Sequence, residues 1–95
     1  MKKKIGILGS TGSIGENTFK IISNNKSDFN VIFLSTNSNV QKLYKQSIKV
    51  KPKAVIIFNK KKYFKFKNKF NKKKIKVFNT FNDLKLSIIK KKMII

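Results

Sequence analysis

A glycine-rich turn near the amino terminus has the residue types and spacing that bind phosphate. It reads Gly9-Ser10-Thr11-Gly12-Ser13-Ile14-Gly15 and joins a short apolar run to a helical pattern. Glycines at these positions let the backbone turn tightly, let a pyrophosphate approach main-chain N–H groups, and let the helix pack closely. The helix amino terminus offers free amides and partial positive charge to the phosphates. We expect the three hydroxyl side chains of the turn to add further donors.

The same turn leaves another interpretation open. A tight strand-to-helix turn that binds nothing would use glycine for the same conformational reasons. The sequence lacks the Gly-Lys-Ser/Thr ending of a nucleoside triphosphate loop, which argues against that kind of phosphate site. The strand and helix on either side favour a dinucleotide site.

The second apolar run ends in residues that bear on the type of dinucleotide. NAD-binding domains usually place a carboxylate here, about 20 residues past the glycines, to hold the ribose 2′-hydroxyl. This chain has only uncharged residues at 35–39, so a 2′-phosphate meets no repulsion and NADP(H) is favoured over NAD(H). In the other interpretation, Asn37 and Asn39 are simply turn and helix-capping residues.

Strands and helices alternate along the chain and must position this turn. Short apolar or β-branched runs predict strands at 5–8, 31–34, 54–58 and 75–78. Helical spacing between them predicts four helices, whose apolar stripes are Ile14, Thr18, Ile21 and Ile22; Val40, Leu43, Tyr44 and Ser47; Tyr63, Phe66 and Phe70; and Phe81, Leu84 and Ile88. We interpret the aromatic stripe of the Lys-rich segment 60–76 as core, although its low complexity leaves the integrity of that helix open.

The alternation predicts an α/β fold, a Rossmann-like parallel sheet with helices on both faces. We expect the strand order 3-2-1-4, with a partial fifth strand begun by Met93, Ile94 and Ile95. Residues 1–95 would then form one partial, incomplete domain.

Composition limits the possible partners and chemistry. The chain has 24 basic residues, all lysine, against three acids, and its formal charge is +21. That charge keeps a small nucleic-acid-binding protein as an alternative, but the missing arginine argues against base-specific contacts.

The absence of Cys and His excludes thiolate nucleophiles, imidazole bases and the usual zinc sites. The first apolar run is broken by Gly6 and Gly9, so we expect no export signal or membrane span and a cytoplasmic protein.

The turn and several later segments resemble one known family. The string Ile7–Gly15 is similar to the opening of 1-deoxy-D-xylulose 5-phosphate reductoisomerases of the non-mevalonate isoprenoid pathway, and residues 29–34, 39–40 and 51–55 resemble that family's following strands and helix at unshifted spacing. The resemblance implies a Rossmann-like oxidoreductase domain that binds NADPH. By this resemblance, the residues that contact NADPH are Thr11, Gly12, Ser13, Ile14 and Asn39.

The sequence departs from the family pattern just before Asn39. The family has Gly-Lys where this chain has Asn37 and Ser38, so the cation expected near the 2′-phosphate is missing; Lys42, one helical turn on, is a candidate replacement. The resemblance also implies that the full-length enzyme is a homodimer and uses a divalent cation, magnesium or manganese. Its metal-binding and catalytic regions follow the part matched here, so we expect this chain to be a fragment that is inactive alone and does not dimerise. A decayed remnant remains an alternative.

Overall fold

Strands and helices alternate in the folded chain. The structure is a computed structural model that describes the backbone of residues 2–94 and the side chains of residues 2–87. A 3-10 turn at Lys26–Asp28 leads into the second strand. The elements are β1 (Lys3–Ile7), α1 (Ser13–Asn24), β2 (Phe29–Thr36), α2 (Val40–Val50), β3 (Ala54–Ile57), α3 (Lys60–Asn71), β4 (Lys76–Phe78) and α4 (Phe81–Ile94).

The four strands form one parallel sheet, which confirms the predicted α/β class. The predicted strand order 3-2-1-4 is wrong, because the order in the structure is β1-β2-β3-β4. The fourth strand lies against the third, with Ala54 paired to Lys76 and Ile56 to Phe78. The pairing of β1 with β2 shifts register between Ile5 and Gly6.

The placement of α3 explains the strand order. Helices α1, α2 and α3 contribute to one core on one face of the sheet, while Leu84 of α4 packs on the other face. A right-handed crossover keeps its helix on the same face as long as successive strands step in the same direction. The ring of Phe70 in α3 packs edge-on against Tyr44 of α2, with centroids 5.3 Å apart. The contact places α3 beside α2 on this face, as expected for a chain that steps onward to β4 rather than back to β1.

The core is centred on β3, whose four side chains are all buried. Val55 and Ile57 belong to the larger cluster, on the face of α1, α2 and α3, and Ala54 and Ile56 to the smaller one, on the face of α4. The α3 helix is intact. Its predicted stripe is confirmed as core, because Phe70 is fully buried and Tyr63 and Phe66 pack against the same cluster.

The predicted apolar stripe of α1 is wrong for Ile14 and Ile21 and confirmed for Ile22. Ile14 and Ile21 are 84% and 62% exposed, whereas Phe19 and Ile22 are buried. The buried positions continue the spacing from Gly15, at i, i+4 and i+7. Because Gly15 lies against the backbone of the turn, it sets the rotation of the helix and turns the two isoleucines outward.

The predicted fifth strand is also wrong for Met93 and Ile94, which belong to α4. Ile95 and the side chain of Ile88 lie outside the described residues. Among the helices of the described chain, none has the length and apolar character needed to cross a membrane.

Candidate functional site

The glycine turn follows β1 at the edge of the sheet where the strands end. Gly9 has a φ of +65°, in the left-handed region that favours glycine, and its carbonyl accepts a hydrogen bond from the Gly12 amide at 3.0 Å. A Cβ on Gly15 would lie 2.0 Å from the Gly9 carbonyl oxygen. The two glycines therefore let α1 begin in direct contact with the turn.

Helix α1 begins without a side-chain cap. Its N-cap residue is Gly12, which has no side chain to accept a hydrogen bond. No hydrogen bond within the described part of the chain involves the amides of Ser13, Ile14 and Gly15. The first turn of an α-helix leaves such N–H groups free for a ligand. The arrangement thus presents three donors and the positive end of the helix dipole at the carboxyl edge of the sheet.

Hydrogen bonds to β2 fix the start of the turn. The Ser10 amide donates to the Ser35 carbonyl at 3.0 Å, and the Gly9 amide donates to Ser35 Oγ at 2.7 Å. Ser35 is fully buried. Because these bonds join the turn to a central strand, the free amides of α1 are held on a rigid support.

Gln46 of α2 holds the turn from the other side, a contact that the sequence analysis missed. Its Nε2 donates to the Ser10 carbonyl at 2.9 Å, and its Oε1 lies 2.8 Å from Ser10 Oγ, which donates to it. Both side chains are buried. The expectation that the Ser10 hydroxyl is a donor to phosphate is therefore wrong, because this hydroxyl is buried and bonded inside the protein.

Thr36, the last residue of β2, links the turn to the start of α2. The hydroxyls of Thr11 and Thr36 hydrogen-bond at 2.7 Å, and the Asn39 amide donates to the same Thr36 oxygen at 3.2 Å. Thr36 thus places two of the predicted site residues around one atom. The other three, Gly12, Ser13 and Ile14, are exposed at the beginning of α1, so the structure brings all five to the same edge of the sheet.

Asn39 caps α2. Its Oδ1 accepts a hydrogen bond from the Lys42 amide at 3.3 Å, so Asn39 is a helix-capping residue. Asn59 and Thr80 cap α3 and α4 in the same way, through the amides of Lys62 and Asp83. Contact between Asn39 and a cofactor stays a prediction, as do the contacts predicted for the turn.

The candidate replacement cation is paired within the protein. Lys42 Nζ lies 2.5 Å from Glu16 Oε2, and both side chains are about one third exposed. The hydrogen bond from Lys42 lowers the pKa of Glu16, against a smaller opposing effect of desolvation. Since Lys42 is held by a carboxylate of α1, it is not a free cation for a ligand phosphate.

The three acids lie at separate places in the fold. Glu16 is in the first turn of α1, Asp28 ends the 3-10 turn before β2, and Asp83 is in the first turn of α4. Among the described residues, no three His, Cys, Asp or Glu side chains form a group that could hold a metal.

Comparison with known proteins identifies the family. A sequence model of the 1-deoxy-D-xylulose 5-phosphate reductoisomerase family matches residues 5–93. The chain belongs to this family. The reductoisomerase of Wigglesworthia glossinidia brevipalpis is 53% identical over 75 residues, which are 78% of this chain and 19% of that protein. The reductoisomerase of Phocaeicola vulgatus is 40% identical over 78 residues, which are 82% of this chain and 20% of its own length.

The fold agrees with a solved reductoisomerase. The structure of the enzyme from Zymomonas mobilis in complex with NADPH matches with a TM-score of 0.77 at 27% identity. The match covers 82% of this chain and 21% of that one. The chain therefore spans about a fifth of the length of the reductoisomerases it matches, and the observed sheet and helices are those of a Rossmann-like domain of this family.

Proposed function

We propose that this chain binds NADPH, with the pyrophosphate at the amino terminus of α1. The observation that carries the proposal is the uncapped first turn of that helix, where the amides of Ser13, Ile14 and Gly15 have no acceptor among the described residues. Free helix amides and the helix dipole are a general anion-binding arrangement. The solved relative from Zymomonas mobilis is bound to NADPH, which supports this choice of anion.

The residues of the turn suit the cofactor. Gly12 keeps the space before the helix open, because it has no Cβ. Ser13 offers an exposed hydroxyl beside it, and Thr11 lies on its other side with its hydroxyl bonded to Thr36. Ile14 presents an apolar surface that is 84% exposed. The absence of a carboxylate after β2 favours NADP(H) over NAD(H).

The proposal extends to the reaction of the complete protein. The reaction we infer for the complete protein is that of its family, the NADPH-dependent rearrangement and reduction of 1-deoxy-D-xylulose 5-phosphate, in the cytoplasm, with a divalent cation and as a homodimer. In that proposal residues 1–95 are a partial domain that supplies the NADPH site, is inactive alone and does not dimerise. We also propose that no specific nucleic acid is a partner.

A charge placed at the helix start tests NADPH binding. Ile14→Asp introduces a carboxylate beside the free amides, and Ile21→Asp introduces the same charge farther along α1. Both residues are exposed, so both variants should fold. Calorimetric titration should show NADPH binding weakened about tenfold or more by Ile14→Asp, since like charges in contact repel, and changed little by Ile21→Asp. Equal affinities in the two variants, or no binding by the parent chain at millimolar NADPH, would refute the proposal.

A further inference from the structure

The carboxyl end of β2 lacks a cation of its own. A dinucleotide whose pyrophosphate lies at α1 places its adenosine ribose near this strand end, and a 2′-phosphate there carries a charge of about −1.5 to −2. Asn37, Ser38 and Asn39 are uncharged, and Lys42 is paired with Glu16. The charge of a bound 2′-phosphate can therefore be paired only by a cation from another part of the chain or by displacing Glu16 from Lys42.

The junction of β3 and α3 lies directly beside this loop. The Phe58 amide donates to the Thr36 carbonyl at 3.0 Å, and the Asn59 amide donates to the Asn37 carbonyl at 2.8 Å. Lys60 follows at once, as the first residue of α3. These two backbone bonds bring the start of a lysine-rich helix against the loop that would surround the ribose.

Two of the three lysines at the start of α3 are available. The Lys62 ammonium lies 5.8 Å from the centroid of the Phe66 ring, so it extends toward the carboxyl end of α3, away from the loop. Lys60 and Lys61 are exposed, and neither forms an ion pair within the part of the chain that the structure describes. The sequence has no acid between Asp28 and Asp83 that could compete for them.

The direction of these side chains also suits a ligand at this edge. In an α-helix each Cα–Cβ bond tilts toward the amino terminus, which for α3 is the edge of the sheet that carries the candidate site. The first-turn amide of Lys62 already donates to Asn59 Oδ1 at 3.0 Å. The contribution of α3 is therefore the charge of its lysine side chains rather than free helix amides.

We propose that Lys60 and Lys61 bind the 2′-phosphate of NADPH and set the preference for NADPH over NADH. The inference rests on the proposed function, since it needs a dinucleotide at the turn of α1. It assigns cofactor selectivity to the first two residues of α3, which directly follow the backbone bond from Asn59 to Asn37.

A charge-matched pair of double variants tests this assignment. Lys60→Gln with Lys61→Gln removes the proposed contacts, and Lys72→Gln with Lys73→Gln removes the same charge at the other end of α3, where both lysines are exposed. The dissociation constants of NADPH and NADH would be measured for both variants and the parent chain at one ionic strength, with circular dichroism as the check of folding.

Comparing the affinities for NADPH and NADH distinguishes a specific contact with the 2′-phosphate from a general effect on cofactor binding. We expect the first double variant to weaken NADPH about tenfold, as the loss of charge-assisted contacts to a phosphate implies, and to leave NADH within about twofold of the parent. The control should change neither. Unchanged NADPH affinity in the first variant, equal weakening of both cofactors, or equal effects of the two variants would overturn the assignment while NADPH binding by the parent stands. Failure of the parent to bind either cofactor would remove the proposed function, and this inference with it.

Discussion

The amino termini of the four helices differ in one respect. In the described residues, α2, α3 and α4 each have a side-chain oxygen that accepts from the third amide of the helix, supplied by Asn39, Asn59 and Thr80. Helix α1 has Gly12 in that position and no such bond. All four helices follow parallel strands, so their amino termini share one edge of the sheet.

In the proposed function, this difference makes one strand-to-helix junction a binding site while its neighbours remain structural. In a capped helix, a side-chain oxygen already accepts a hydrogen bond from a first-turn N–H group, so this group is not free to bind an anion. An uncapped helix gives up that stabilisation and keeps the donor for a ligand. Gly12 and Gly15 give α1 both features, a missing cap and close packing on the turn.

Gly15→Ala should have the largest effect on this contrast. The new Cβ would lie 2.0 Å from the Gly9 carbonyl oxygen and 2.9 Å from the Ser10 Cα, so the helix must move away from the turn. We expect the free energy of unfolding to fall by roughly 2 kcal/mol or more and NADPH binding to be lost. Urea denaturation and NADPH titration measure the two effects.

Gly12→Ala is the matched control for the effect on stability. Its Cβ would meet the Gly9 carbonyl oxygen at 3.4 Å, an ordinary contact, so the stability should stay within about 1 kcal/mol of the parent. If the alanine at position 15 were as well tolerated as the alanine at position 12, close packing of α1 on the turn would not be what shapes the site.

Gln46→Leu should have the next largest effect. It leaves the buried Ser10 carbonyl without its 2.9 Å hydrogen bond, and an unpaired buried polar group costs about 1–3 kcal/mol. NADPH should bind more weakly, because the turn loses its anchor to α2. Ser47→Ala is the control, since Ser47 is buried in the same helix and its hydroxyl donates only to the Leu43 carbonyl of that helix. Comparable losses of NADPH affinity in the two variants would show that Gln46 acts through general stability alone.

Removing the cap of α4 and adding a cap to α1 should change the free energy of unfolding by smaller amounts and in opposite directions. Thr80→Ala opens α4 and should cost about 1 kcal/mol of stability without altering NADPH affinity. Gly12→Asn adds a cap to α1 and should stabilise the chain by a few tenths of a kcal/mol, while NADPH affinity falls because the Gly15 amide is now occupied. Stronger NADPH binding by Gly12→Asn would contradict the role given to the open helix.

The smallest effect should come from pH at the Glu16–Lys42 pair. A carboxyl with a lowered pKa in the folded state stabilises the protein above its ordinary pKa of about 4.3, and this contribution is lost as the pH falls through the lowered value. The stability of the parent should exceed that of Glu16→Gln slightly at pH 7, and the difference should disappear on acidification. Urea midpoints of both proteins across that range measure it. A difference that grew toward low pH would contradict the lowered pKa.

The sequence predicted the elements more reliably than their arrangement. The third strand begins at Ala54 as predicted, and the Gly turn joins strand to helix at the expected place. The strand order could not be predicted, because right-handed crossovers are compatible with a step in either direction along the sheet. The choice depends on the packing of α3 in the core, which includes the contact between Tyr44 and Phe70, and these residues are far apart in sequence.

The contacts that hold the glycine turn in place could be predicted only in part, for a similar reason. The residues of the turn were identified because their spacing is local, whereas Ser10 and Gln46 are 36 residues apart and a glutamine within a lysine-rich helix resembles a surface residue. The rotation of α1 was mispredicted because Gly15, which has no apolar side chain, is the first position of its buried stripe.

Amide hydrogen exchange with and without NADPH tests the central claim most directly. The amides of Ser13, Ile14 and Gly15 should exchange rapidly in the free chain, because they lack acceptors, and should slow by about tenfold or more at millimolar NADPH. The capped amide of Asp83, at the start of α4, should change little. Unchanged exchange at the start of α1, or equal slowing at the open and capped helices, would contradict the claim that NADPH binds at the uncapped helix.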